Sequence, residues 1–341
     1  MLAELSRRGA LIRLHDIGGT ITSKLLGVGR AVLAVLTGVR RGDHAYLSVP
    51  GQAGVWLFVP LALALRLRGI DHAVHHHSFR PINRGPMRGM RMLVAAGRRR
   101  QRHVLLSENM RRRFAALYLK NDPDKAMALS NAYLFAPQLV VADRPVRPVT
   151  LGHMSVLTRE KGVGYLLDLF ASLTARGNDW RLVIAGPCAD PALRAEIDAA
   201  VAADPDRITY IGPVAGSEKE RFFADIDLFV LPTTLVDEAE PLVMLEAFGR
   251  GVEVVANDTG CIRDRIRTPG HLLTRDPEAD VELIEKRMAE AASDWSATRA
   301  ACIVHVRGIA AQAEAEAEAA FPRLLPFTAI PDRHLPSTPG L

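Results

Sequence analysis

The chain is poor in several things. Aromatic residues make up only 6% of its 341 positions, so the core has to come from Ala, Leu and Val, as in soluble α/β proteins. Cysteines number three, Cys188, Cys261 and Cys302. They are odd in number and scattered, which excludes a disulfide framework and zinc-ligand spacing. A reducing, cytoplasmic compartment is the expectation. The longest apolar run, Ala53 to Leu65, contains Pro60 and ends at Arg66, well short of the ~20 residues a membrane span needs. It predicts a buried helix. Met1–Arg8 has no apolar core ahead of a cleavage site, so no signal peptide is expected. No Gly-x-Gly-x-x-Gly follows an early strand, which argues against a nicotinamide-dependent enzyme.

Acidic residues are scarce in the first part of the chain. The net charge of +5 divides into roughly +15 up to Arg144 and roughly −10 beyond it. A basic half suits nucleic acid, an anionic membrane surface or a phosphorylated acceptor. Aromatic–basic interleaving and finger spacing are missing, which sets nucleic acid aside.

What is present centres on the stretch from Leu228 to Gly251. Leu228 to Leu231 is a short apolar run that suits a buried parallel strand. Pro232 ends it, and Thr233–Glu240 is a polar loop. Pro241 stands where a helix starts, its missing N–H harmless there. Leu242, Leu245 and Phe248 recur at helical spacing before Gly251. The loop delivers Glu238, and the helix delivers Glu246. The free N–H groups of Leu242 and Val243 carry partial positive charge that suits a phosphate. Carboxylates accept from hydroxyls, so a ligand with both features is a nucleotide bearing a sugar.

The remaining elements alternate. The expected strands in the first half are Ala10–His15, Ala45–Val49, His72–His77, His103–Ser107 and Ala126–Leu129. Helices are expected at Met1–Arg8, Leu25–Val39, Gly54–Leu67, Met87–Arg99 and Met110–Leu119. A linker with Pro145 and Pro148 follows. The second half predicts strands at Val149–Met154, Arg181–Ala185, Ile208–Gly212, Asp227–Leu231 and Val252–Ala256, with helices between them. Alternation of this kind implies parallel sheets covered on both faces.

Glu238-x7-Glu246, followed by Ala247-x-x-x-Gly251 and a Val-rich strand, resembles the donor-site signature of retaining GT-B glycosyltransferases of family 4 (glycosyl transferases group 1). The Lys161-Gly162 turn, the Val183-Ile-Ala-Gly186 strand end, the Gly212-x-Val214 loop and the Asp225-x-Asp227 lead-in fall in the same order. The resemblance implies two Rossmann-like domains facing across a cleft. Residues 1–144 would bind acceptor, 145–305 would bind the donor, and 306–341 would supply a closing helix and a loose proline-rich tail. The first domain begins in the helix after the family's first strand, so it lacks that strand or the chain starts upstream.

The resemblance also implies roles. Glu238 orients the donor sugar and Glu246 holds the ribose. Lys161 offsets the leaving diphosphate, with Arg159 in place of the family's Gly-Arg arginine, since this chain has Gly152-His153 there. Gly186–Cys188 and Pro213–Val214 sit near the base. His77 is the match for a histidine facing the transferred sugar; a polar strand end is the other reading of it. His75, His76 and His77 alternate between faces and cannot all ligate one metal ion. No metal and no cofactor beyond the nucleotide-sugar donor is expected. The implied activity is retaining transfer to a glycan or lipid-linked acceptor in polysaccharide or glycoconjugate synthesis. The protein would be cytoplasmic, with peripheral membrane contact through Arg98–Arg102 and Arg111–Arg113. A non-catalytic scaffold and a sugar-nucleotide epimerase stay open as rivals.

Overall fold

The structure is a computed structural model and describes residues 1–40, 42–134 and 147–324. Its first part runs α1 (Leu2–Arg7), α2 (Ile21–Gly38), β1 (His44–Val49), α3 (Phe58–Leu67), β2 (Asp71–His76), α4 (Arg80–Asn83), α5 (Arg88–Gly97), β3 (Gln101–Leu105), α6 (Glu108–Tyr118), β4 (Ala126–Ala128) and α7 (Asn131–Leu134). The second runs β5 (Thr150–Met154), α8 (Val163–Ala175), β6 (Arg181–Ala185), α9 (Pro191–Ala203), β7 (Ile208–Tyr210), α10 (Ser217–Asp225), β8 (Leu228–Leu231), α11 (Leu242–Gly249), β9 (Glu253–Asn257), α12 (Ile262–Arg265), β10 (Leu272–Leu273), α13 (Pro277–Ser293) and α14 (Trp295–Leu324).

Local chemistry sets the helix starts. Thr20 and Ser23 form a reciprocal capping box on α2. Ser107 caps α6, and Asp190 and Asp276 cap α9 and α13, each followed by proline in the first turn. The strands form two parallel sheets, ordered β1-β2-β3-β4 and β10-β9-β8-β5-β6-β7. Each is buried by helices. In the second sheet Leu151, Leu182, Leu228 and Val255 pack on α8 and α13, while Phe229, Leu231 and Val254 pack on α10 and α11. The order jumps between β5 and β8, both of which start beside each other. That reversal opens a crevice at their carboxyl ends.

Helix α14 belongs to both halves. Cys302 and Val306 enter the core over the second sheet. Ala317, Ala320, Phe321 and Leu324 pack on Ala73, Val104 and Met127 of the first. Between them Ile309 and Ala313 meet Ala132 and Leu245.

Three expectations need correction. Ala10–His15 is not a strand. Among the described residues no strand lies beside it, and Leu11 and Leu14 are exposed. A short apolar run does not hold a strand without a ladder to offset the backbone ordering. The proline-rich tail was expected from Pro322, but α14 continues through Pro322 to Leu324; residues 325–341 lie outside the described residues, as does Pro145 of the linker. The third concerns α2, which has Lys24 and Arg30 inside it and was not picked out by the Ala53–Leu65 run, yet is long and apolar enough to cross a membrane by length and composition. It is mostly uncovered: Ile21, Leu25, Leu26, Leu33 and Leu36 are exposed, while Val28, Ala31 and Val35 face the protein.

Candidate functional site

The strand β8 is fully buried, and the loop after it is stitched to the turn that carries Lys161. Thr158 accepts from the Lys161 N–H and starts that turn. The Thr234 N–H donates to the Glu160 carbonyl at 2.7 Å. Gly162 has φ +83°, and a Cβ there would collide with the Pro232 carbonyl oxygen. Glycine is what lets the two segments touch. The result is a direct bond: Lys161 Nζ donates to Glu238 Oε2 at 2.6 Å. Thr233 Oγ1 donates to the same oxygen at 3.2 Å. Glu238 is buried.

Helix α11 starts two residues after Glu240. Pro241 precedes it and gives no side-chain cap, so nothing from that residue covers the N–H groups of Leu242 and Val243. Glu246 lies one turn in, buried, and its carboxylate pairs with Lys219 of α10. At the carboxyl end of β6, Gly186 has φ +121°, and a Cβ would strike the Ser155 carbonyl oxygen. The Gly186 N–H donates to the Gly212 carbonyl at 2.7 Å, bringing the two expected base-side loops together. Val214 is half-buried against the core behind α11. His153 stands where the resemblance looked for arginine. It is buried, its ring hydrogen-bonded to the Val230 carbonyl and to Ser155, each at 2.9 Å. Burial lowers its pKa to about 4, and the charge of Lys161 pushes the same way. It is a neutral residue there and no substitute cation.

One sequence-selected residue turns away, and another stands at the end of β2. Arg159 does not join Lys161. Its guanidinium binds Glu196 of α9 at 2.7 and 3.2 Å, with Asp190 at 3.6 Å. In a turn of three residues per revolution, positions two apart face different directions, which sends Arg159 outward as Lys161 turns in. His77 lies just past β2, exposed, its ring 4.0 Å from that of His75. His75 and His76 are buried; His75 meets the Tyr46 hydroxyl and His76 bonds His103 at 2.9 Å. Asp227 is structural: it accepts from Arg147 at 2.9 Å and from the Thr150 N–H at 3.0 Å. Among the described residues no group of three His, Cys, Asp or Glu is placed to hold a metal ion.

The same loop is clamped to the first half by residues that the sequence reading missed. Asp237 accepts from Ser78 at 2.7 Å, Gln52 at 3.0 Å and Arg80 at 2.7 Å. Arg80 and burial act in opposite senses on that carboxyl, and the arginine wins, holding it at about 2. Glu240 accepts from Ser130 Oγ at 2.7 Å, the Asn131 N–H at 2.6 Å and Arg265 at 2.5 Å. Asp264 accepts from Ser107 Oγ at 2.6 Å. Partners in the two halves, separated by 109 to 185 positions, leave no periodic trace in a sequence. Lys219 carries none either.

Beside the loop, over β9 and β10, a cleft of about 770 Å³ opens between the halves. Asn83, Arg84, Asn109 and Arg113 line it from the first; Thr234–Val236, Asn257–Gly260, Arg263 and Leu273–Arg275 line it from the second. Glu238, Glu246 and Lys161 are not in its lining. Glu238 is on the loop and bonds Lys161 of the turn before α8, while Glu246 is in α11.

Comparison with known proteins agrees with this geometry. Residues 147–291, which hold the whole six-stranded sheet, match the family model described as glycosyl transferases group 1. Anabaena HepE in complex with UDP superposes with a TM-score of 0.66 at 15% identity, over 96% of this chain and 89% of that one. The chain has the GT-B fold. The pneumococcal O-GlcNAc transferase GtfA, solved with UDP and GlcNAc, gives 0.65 at 15% identity, over 89% of this chain and 60% of that one. Sucrose-phosphate synthase from Thermosynechococcus elongatus gives 0.63 at 18% identity, over 91% and 83%. No curated protein matches by sequence. In GT-B terms the crevice between β5 and β8 lies in the carboxyl-terminal domain, and the first domain closes on it through Asp237 and Glu240.

Proposed function

We propose that this protein is a glycosyltransferase that uses a nucleotide-activated sugar, with retention, on a glycan or lipid-linked acceptor. The observation that carries the reading is the Lys161–Glu238 bond, made from the loop that leads into α11, whose start has no side-chain cap. In this reading one cation, one acid and one helix N-terminus serve the crevice at the β5–β8 reversal, where parallel sheets take ligands. A second carboxylate, Glu246, is held one turn further on by Lys219. In this reading the ribose hydroxyls donate to Glu246 and the sugar hydroxyls to Glu238. The donor C1–O bond breaks, the diphosphate leaves, and the acceptor oxygen bonds to C1. The acceptor proton goes to the departing phosphate oxygen. Lys161 and the Leu242 and Val243 N–H groups offset the charge that builds on the diphosphate, and no metal ion is needed for it. HepE is also solved with UDP-glucose, which favours a UDP-sugar donor.

Polysaccharide or glycoconjugate synthesis is the role this chemistry suits, in the cytoplasm. The uncovered apolar face of α2 suits contact with the membrane that a lipid-linked acceptor occupies. A non-catalytic scaffold would bind UDP without releasing sugar, and an epimerase would interconvert UDP-sugars with no acceptor present.

The test is a thermal-shift screen with UDP, other nucleoside diphosphates and UDP-sugars, followed by donor hydrolysis. A ligand at a hundred times its Kd adds about 2.7 kcal/mol of stability. Glu246→Ala is expected to lose the nucleotide shift. Glu238→Gln is expected to keep it and lose sugar release. If no nucleotide shifts the wild-type protein, the reading fails.

A further inference from the structure

The interdomain cleft is more cationic than its surroundings require. Arg84, Arg113, Arg263 and Arg275 reach it from both domains, and Asp258 is the acid in its lining. Asp258 is committed to Arg263, which donates to it at 2.7 Å. Among the described residues Arg84, Arg113 and Arg275 have no carboxylate partner.

Two of these arginines are held in place by buried structure. The Arg113 guanidinium lies 5.0 Å over the ring of Phe79, a fully buried residue. Arg275 has φ +70°, a left-handed conformation that costs a non-glycine residue about 1 kcal/mol or more. The fully buried carboxylate of Asp280 holds it there, accepting from the Thr274 N–H at 2.7 Å, the Thr274 hydroxyl at 2.8 Å and the Arg275 N–H at 3.1 Å. The Arg275 side chain then lies over Tyr165, 4.5 Å from the ring centre. Solubility alone asks for no such arrangement.

A second observation concerns hydroxyls. Asn257 lines the cleft and is buried. Its Nδ2 donates to the Thr233 carbonyl at 3.1 Å, and its Oδ1 has no hydrogen-bond partner. A buried acceptor of this kind costs about 1–3 kcal/mol when unmet, and an O–H donor from a bound molecule would meet it. Cation forks recognise phosphate and carboxylate; the orphaned amide oxygen recognises a hydroxyl.

We propose that the cleft binds an acidic saccharide, a glycan acceptor carrying phosphate or carboxylate groups beside free hydroxyls. This rests on the transferase reading for the word acceptor. Gly260 lines the cleft and packs on the Glu238 backbone, where a Cβ would strike the Glu238 carbonyl oxygen, so the cleft wall adjoins the loop that carries the donor-side acid.

The experiment is a calorimetric titration of the full chain with three trisaccharides of matched length, one neutral, one phosphorylated and one containing uronate. The acidic pair is expected to bind at least about tenfold tighter than the neutral one, and the better of the two names the anion. Arg113→Gln with Arg275→Gln is expected to remove that preference. Asp258→Asn, which frees Arg263, is expected to widen it, a gain that misfolding cannot imitate. Equal affinity for the three probes overturns the proposal, as does a preference untouched by the arginine changes. So does displacement of the acidic probe by UDP in direct competition, because the arginines would then serve the donor. UDP binding to the same samples is read separately: its absence sinks the transferase reading and leaves the acid preference as measured.

Discussion

Glu240 and Arg265 offer the sharpest stability test. Both side chains are removed from solvent, at 0% and 3% exposure. Glu240 comes from the loop of the second domain and accepts from Ser130 and Asn131 of the first. Arg265 donates to Glu240 and, at 2.9 Å, to the Leu106 carbonyl of the first domain. Glu240→Ala removes one charge and leaves the other buried. Such a break costs about 3–5 kcal/mol, because the surviving ion keeps its desolvation penalty without its partner. Two further donors, Ser130 Oγ and the Asn131 N–H, lose their acceptor in the same step. Urea unfolding at pH 7, followed by tryptophan fluorescence and by limited proteolysis, is the assay. The expected outcome is a loss of about 3–5 kcal/mol, with cleavage appearing between the domains. Glu240→Leu with Arg265→Met should recover a large part of that loss, since an apolar pair of similar volume avoids stranding a charge. Recovery stays incomplete because the Leu106 carbonyl loses its donor. A loss below about 1 kcal/mol for Glu240→Ala, or a double change as costly as the two singles added, would refute the reasoning.

Four other outcomes follow from the same structure. Buried His76, His103 and His153 have pKa values pushed down by burial, His103 to about 3 and His153 to about 4. The unfolded chain therefore binds more protons below the ordinary histidine value of about 6.5, and stability falls with pH from there. At pH 5 His103 and His153 each cost about 2 kcal/mol and His76 acts in the same direction, so unfolding at pH 7 and 5 should differ by several kcal/mol, and His103→Gln should flatten the difference. Lys161→Met is expected to slow donor turnover by about 10²-fold or more while the protein still binds UDP, which single-turnover kinetics checks. Gly186→Ala should destabilise by more than about 2 kcal/mol, through both its positive φ and the Ser155 carbonyl; a neutral result in thermal melts would show that the loop can shift. Leu25→Glu with Leu33→Glu should abolish sedimentation with anionic vesicles and leave melting unchanged, because both residues are exposed. Binding that persists would place the contact on another surface.

The second domain was nearly transparent in the sequence. Short Val- and Leu-rich runs ending in glycine or proline are what strands buried on both faces must look like, and β5, β6, β8 and β9 fall within a residue or two of their expected limits. The Glu238–Glu246 spacing came through because one loop and one helix turn fix it. The first domain was legible where strands pair and illegible where they do not: Ala10–His15 has a strand-like apolar composition, but composition records a preference and a neighbour has to satisfy it. Arg159 was chosen for proximity to Lys161, and positions two apart in a tight turn face different directions. Lys219, Asp237 and Glu240 find their partners only through tertiary folding. A charged residue with a partner a hundred positions away reads the same as one in solvent.

Helix α14 also bears on how the cleft can open. It is one rod, seated at Cys302 and Val306 in one domain and at Phe321 and Leu324 in the other. Gly308 lies in its interior, between those seats, with open space around it. Interior glycine is the softest joint a helix can have, by about 1 kcal/mol relative to alanine. Sliding of the domains along the rod would shear two apolar seats at once. Flexing at Gly308 leaves both end seats intact and loads the contact between them, Ile309 and Ala313 against Ala132 and Leu245, so that small cluster governs how far the helix lets the two domains swing.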